Sequence, residues 1–195
     1  MYSSLNSLKI TEYLPKDNSS FKKIMLYRSS INRVLSCFLN WMIRNPIKKK
    51  LYLNDKYDNL TKNKGNWLLT ILKNCVNFDY QLYKERLQNC TSENMIKIFE
   101  QFVNILPTIY MKNPHLHPQI KIARKYKLLI SNYFNIDKKY HIKKLERMIN
   151  QKIPVSNQSN DIDKQLLINF LNNNPKCKQK IYNVYKADDI LNANF

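Results

Sequence analysis

The sequence predicts an all-α protein of about six helices. Apolar side chains recur at i, i+3 and i+4 through most of the chain, while period-two alternation is nearly absent. Prolines and Asn-rich runs fall between the periodic stretches and mark helix ends. At 195 residues, with 44% hydrophobic and 12% aromatic content, the chain is long enough to bury a core and too apolar for general disorder.

Taken in order, residues 1–20 have no sustained period and read as an N-terminal arm, and residues 21–172 read as one helical domain. In Ile31 to Ile43 the stripe Ile31, Val34, Leu35, Phe38, Trp41 and Met42 makes a helix that Asn45-Pro46 is expected to end. Residues 45–65 read as an inserted polar loop, closed by a turn at Gly65. Asn66 to Gln88 is helical, with Asn77-Phe78-Asp79 placed to kink or split it, and Thr91 or Ser92 caps the next helix. That helix, Ser92 to Leu106, carries Met95, Ile96, Phe99, Phe102, Val103 and Leu106 on one face and is expected to stop at Pro107.

Residues 108–122 are expected to form a short projecting basic ribbon or loop between the third and fourth core helices. A further helix opens on Arg124 and Lys125 and continues through Tyr126, Leu129, Ile130, Tyr133 and Phe134. Packing of the two flanking helices on each other would force the strip between them outward. Tyr140 to Gln151 is a helix with Tyr140, Ile142, Leu145, Met148 and Ile149 inward and Lys143, Lys144 and Arg147 outward. After a linker at residues 154–160, Asp161 caps a helix to Leu171. Residues 173–195 form a C-terminal extension, read as a short helix or an arm.

Charge is the strongest functional signal. Lys and Arg number 33 against 14 acids, giving a formal net charge of +19. Such a field repels itself unless a polyanion neutralises it, and nucleic acid is the first expectation. Codon drift in an A/T-rich genome would also raise Lys, Asn, Ile and Tyr and deplete Gly and the acids, but it would not place the charge unevenly. Between Tyr110 and Lys152 only Asp137 and Glu146 oppose a long series of bases. The expected RNA-contacting residues fall into two faces, with Lys143 and Lys144 beside them. Lys22, Lys23, Arg28, Arg33, Arg44, Lys48, Lys49 and Lys50 form the first, and Lys112, Lys121, Arg124, Lys125 and Lys127 the second. Tyr110, His115 and His117 in the projecting strip are the residues expected to stack on unpaired bases.

Other classes find little support. Cys37, Cys75, Cys90 and Cys177 form no C-x-x-C pair; Cys37 and Cys75 read as small buried hydrophobes, and a reducing compartment fits. His115 and His117 could share a strand face, but no carboxylate or Cys lies near them, so no metal or other cofactor is expected. With one glycine, neither a P-loop nor a dinucleotide-binding turn can be built, and no nucleophile–base spacing suggests catalysis. No apolar run is long enough to span a bilayer, so no membrane insertion is expected. The N-terminus shows no signal-peptide core, and Glu12 and Asp17 interrupt the acid-poor character of a transit peptide.

The central stretch resembles the universal ribosomal small-subunit protein seven family. In that family a helix with the pattern V-F-E-x-A-I-x-N-V-x-P leads into a basic ribbon ending Y-x-V-P-V and a helix opening with basic residues. Here Ile98-Phe99-Glu100-Gln101-Phe102-Val103-Asn104-Ile105-Leu106-Pro107 is followed by Pro118, Ile120 and Ile122, then Arg124-Lys125 and Leu128-Leu129-Ile130. Phe38-Leu39-Asn40-Trp41-Met42 with Lys48-Lys49-Lys50 looks like the family's F-I-N-x-L-M helix and its G-K-K turn. Asn113-Pro114 stands where the family has paired glycines, and the Phe99 to Pro107 run is one residue shorter than the pattern.

The resemblance implies a structural constituent of the ribosome that binds small-subunit rRNA in the head. Neighbouring ribosomal proteins would be its partners, and the ribbon would line the path of mRNA and exit-site tRNA. An organelle-encoded version in the mitochondrial matrix would suit the composition. The alternatives are an accessory subunit of a membrane-associated mitochondrial complex, its charge set by codon drift, and a nuclease-type enzyme.

Overall fold

A computed structural model describes residues 24–48, 67–125, 133–153 and 162–191. The expected N-terminal arm, Gly65, the linker and the Asp161 cap lie outside them, as does most of the polar loop. In chain order the elements are β1 (Met25–Tyr27), α1 (Ser30–Phe38), a π-helical segment (Leu39–Arg44), α2 (Asn45–Lys48), α3 (Trp67–Lys73), α4 (Tyr80–Gln88) and α5 (Ser92–Ile109). They are followed by a 3₁₀ turn (Pro114–Leu116), α6 (Gln119–Lys125), β2 (Tyr133–Asn135), α7 (Lys139–Ile149), α8 (Ile162–Asn173), α9 (Pro175–Tyr185) and a 3₁₀ segment (Lys186–Leu191). The protein is mostly helical, as the apolar period predicts. Where the sequence reads one body over residues 21–172, the chain divides into two compact units: residues 30–118 with 162–189, and residues 1–29 with 119–161 and 190–195.

The larger unit is built on α5. Ile98, Phe99, Phe102, Val103, Leu106 and Ile109 along it are wholly buried, and α4, α8 and α9 pack around it. Phe38 of α1 meets Phe99 edge-on at 4.9 Å between ring centroids and Phe102 at 5.6 Å. The Thr91 side chain accepts from the Asn94 N–H and caps the start of α5. Pro107 does not stop α5. Its missing N–H removes one bond in the last turn, while Ile109 is drawn into the core and the Tyr110 N–H reaches the Leu106 carbonyl at 3.0 Å.

Asn45-Pro46 likewise fails to end its helix. Pro46 has no N–H to offer the Met42 carbonyl, and the helix widens to π bonding, in which the Asn45 N–H reaches the Asn40 carbonyl. The buried Tyr83 hydroxyl donates to the Met42 carbonyl at 2.6 Å, so α4 supplies from the side what the proline withholds. Residues 74–79 do split the helix predicted over Asn66 to Gln88, and Asp79 accepts from the Leu82 N–H to start α4.

The C-terminal segment is no arm. Asn174 caps α9, Pro175 occupies its first turn, and Cys177, Ile181 and Tyr185 enter the core. Nor does the strip expected over residues 108–122 form a projecting ribbon: residues 119–122 open α6, and residues 108–118 fold into the larger unit. Leu116 is buried, and its carbonyl accepts from the Tyr185 hydroxyl at 2.8 Å and from the Arg33 guanidinium at 3.4 Å. That guanidinium lies 3.6 Å from the Asp188 carboxylate and 4.4 Å from the centre of the Tyr185 ring. Arg33, expected at a phosphate-binding face, is therefore an internal counter-charge.

The smaller unit holds the strand pair that the sequence did not signal. β1 and β2 run parallel, with Met25 opposite Tyr133, Leu26 opposite Phe134 and Tyr27 opposite Asn135. Tyr133 and Phe134, read as the end of a helix, lie in β2, and Tyr126, Leu129 and Ile130 fall outside the described residues. Buried Gln119 of α6 accepts from the Arg28 N–H at 3.0 Å and donates to the Arg28 carbonyl at 2.7 Å, acting as a short extra rung on β1. α7 packs on β2.

Removing one partner of a buried ion pair strands the other. Arg33→Ala would remove the guanidinium from beside the Asp188 carboxylate, which is 2% exposed, and is expected to cost up to about 3–5 kcal/mol. Asp188→Asn should cost less, because Arg33, 14% exposed, keeps the Leu116 carbonyl and the Tyr185 ring. Urea denaturation measures both, and equal losses would contradict the account.

Candidate nucleic-acid interface

The candidate surface lies on α7. Two features fix how this helix is turned about its axis. At its start the Asn135 N–H donates to Nδ1 of His141 at 2.7 Å, the Asn135 side chain accepts from the Asp137 N–H, and the Lys138 N–H returns to the Asn135 carbonyl. At its end Asn150 takes the left-handed conformation (φ 48°) and the Gln151 N–H bonds the Glu146 carbonyl, a helix stop that Asn tolerates. The Glu146 carboxylate accepts from the Ile153 N–H and meets Lys152 at 3.6 Å.

With His141 and Leu145 buried, Ile142, Glu146 and Ile149 are half-buried and the other positions are thrown outward. Lys139, Lys143 and Arg147 follow one another at i, i+4 and i+8, with Tyr140 and Lys144 alongside, and all are exposed. The sequence placed Tyr140 and Met148 inward. The His141 bond turns Tyr140, one position before it, off the buried face at 56% exposure, while Met148, although on the His141 side of the helix, is 37% exposed.

Two acids belong to the described part of this unit, and both are occupied within it. Asp137 accepts from the Ser29 N–H at 2.7 Å, and Glu146 is held as described. Among the described residues no ion pair joins Lys139, Lys143, Lys144 or Arg147 to an acid. Lys121 and Arg124 of α6 are exposed as well. Like charges at helical spacing repel, and an anion laid along this face would relieve that repulsion.

The other expected site residues meet several fates. Lys22, Lys23, Lys49, Lys50 and Lys127 lie outside the described residues, and Lys125 ends α6. Arg28 is half-buried, its peptide gripped by Gln119. Arg44 is partly exposed and lies 3.8 Å from Asp163 in the larger unit. Lys48 and Lys112 of that unit are exposed. Of the expected stacking residues, Tyr110 stands edge-on to Tyr185 with ring centroids 6.4 Å apart. The His115 ring lies 4.8 Å from that of Trp41, and His117 Nε2 is 3.0 Å from the Met111 carbonyl. These contacts fold residues 110–118 onto the larger unit.

Tyr140, the most exposed aromatic among the described residues, is one that the stacking prediction left out. Its neighbours in sequence carried the signal, since it stands among Lys138, Lys139, Lys143 and Lys144. Among the described residues no cluster of His, Cys, Asp and Glu could hold a metal, and no helix is long and apolar enough to cross a membrane. Comparison of the chain with known protein families, with characterised proteins and with solved structures finds no match.

The His141 contact requires an unprotonated Nδ1. Burial first, and then Lys138 and Lys144, lower the His141 pKa from its ordinary value; burial does the same for His115. The folded chain thus binds these protons less readily than the unfolded chain. Their contribution to stability is complete above the unfolded pKa of about 6.5 and declines as the pH falls below it. The urea midpoint should drop between about pH 7 and 5.5. His141→Gln should flatten that drop, and an unaltered profile would contradict the assignment.

Proposed function

We propose that this protein is an RNA-binding structural protein acting through phosphate neutralisation, without catalysis. One observation carries the proposal: the exposed face of α7 gathers Lys139, Lys143, Lys144 and Arg147 with no acid paired to them among the described residues. A helix presenting cations at this spacing tracks a phosphate backbone, and release of condensed counterions supplies the affinity. Shape and charge would dominate over base readout, as expected for folded RNA.

The order of landmarks shared with the ribosomal small-subunit protein seven family supports placing that RNA in the small ribosomal subunit. The basic, A/T-shaped composition supports a mitochondrial matrix version with ribosomal proteins as neighbours. On this reading α6 and α7 make the principal contact of the smaller unit. Residues 110–118 are folded onto the larger one and would offer Lys112 as a lesser contact.

The full chain should bind an RNA hairpin with a steep salt dependence. Replacing Lys143, Lys144 and Arg147 together with Ala should lower the slope of log K against log salt by about two to three units. Lys97→Ala, which removes the partner of Glu93 in the larger unit, should leave it unchanged. Ribosomal RNA should predominate in the nucleic acid recovered with the native protein. An unaltered slope would remove α7 from the interface, and recovery free of RNA would overturn the proposal.

A further inference from the structure

The placement of Tyr140 says what kind of RNA segment the α7 face receives. A side chain whose only task is to fill a core is buried, and Tyr140 is 56% exposed. It is also held in place. Its ring meets that of His141 at right angles with centroids 4.2 Å apart, and the His141 ring meets that of Phe134 in β2 at 6.3 Å. The Asn135 N–H fixes His141 in turn. Tyr140 is therefore an exposed ring with a supported orientation, and little freedom remains to be lost when a ligand settles on it.

The surroundings of the ring are cationic. Lys139, Lys143, Lys144 and Arg147 flank it along the helix, and the Lys138 ammonium lies 5.8 Å from its centroid. An aromatic face bordered by cations matches one ligand chemistry: an unpaired nucleobase stacked on the ring with its own and adjacent phosphates on the lysines. A regular duplex keeps its bases stacked on one another and offers nothing to such a face.

We infer that Tyr140 is a stacking platform for an unpaired base, so that the α7 face takes a single-stranded, looped or bulged RNA segment. This inference rests on the RNA-binding reading and narrows it.

The test compares full-length wild type with Tyr140→Ala, Tyr140→Leu and Tyr140→Phe. The probes are a single-stranded RNA of about ten nucleotides and a fully paired RNA duplex of about 16 base pairs. Leucine keeps apolar contact with His141 but has no aromatic face, and phenylalanine keeps the face. Ala and Leu should weaken single-strand binding by about 5- to 150-fold, the value of one base–aromatic stack, and leave duplex binding unchanged. Phe should bind as wild type does. Equal losses on both RNAs, or no loss on either, would overturn the platform while leaving the RNA-binding reading in place. Failure of the wild type to bind either RNA would overturn both.

Discussion

The hydrogen bond from the Asn135 N–H to Nδ1 of His141 is the constraint on which the candidate surface depends. A helix as basic as α7 could rest on its strand in several rotations, because lysine stems can cover apolar surface while their ammonium groups reach water. Burying one imidazole with a single accepting nitrogen removes that freedom. A buried backbone N–H left without an acceptor costs about 1–3 kcal/mol, enough to select one rotation. Once His141 and Leu145 are inward, the exposure of Lys139, Tyr140, Lys143 and Arg147 follows from the helical repeat, and Lys144 at the edge of the buried face is exposed as well. A local polar contact in this way sets the electrostatics of a whole face.

The larger unit treats positive charge in the opposite manner. Arg33 is drawn inside, where it meets Asp188, the Leu116 carbonyl and the Tyr185 ring. Its neighbours turn a loop-forming stretch with two prolines and two histidines into a folded connection, because the Leu116 carbonyl has two donors waiting for it. Net charge alone therefore says little about the role of any one residue. What separates Arg33 from Lys143 is burial and the presence of an acid, and neither can be read from composition.

The helices were legible in the sequence because their apolar period is long and strong: α5 shows Met95, Phe99, Phe102, Val103 and Leu106 at helical spacing, and those side chains are buried. The errors cluster where a tertiary partner overrides a local rule. Pro46 and Pro107 were read as terminators, yet a π segment with Tyr83, and the burial of Ile109, carry the helices past them. β1 and β2 are three residues each and pair from distant parts of the chain, so no window of sequence contains the contact. The sequence reads α7 as a helix with Lys143, Lys144 and Arg147 outside and Leu145 inside, as it is, but it puts Tyr140 and Met148 inside as well and leaves His141 out. His141 displaces Tyr140 from the inward face, and the hydrogen bond that decides the matter comes from another element. Tyr140 is consequently exposed where the sequence predicts burial, while Tyr110 belongs to a strip that packs against Tyr185.

Chemical acetylation of the lysines of the native chain, with and without bound RNA, followed by mass spectrometry, tests the central claim most directly. RNA lying along α7 should protect Lys139, Lys143 and Lys144, while Lys73, Lys97 and Lys176 on the larger unit react as before. Protection spread evenly over all these lysines, or absent from the α7 set, would contradict the account.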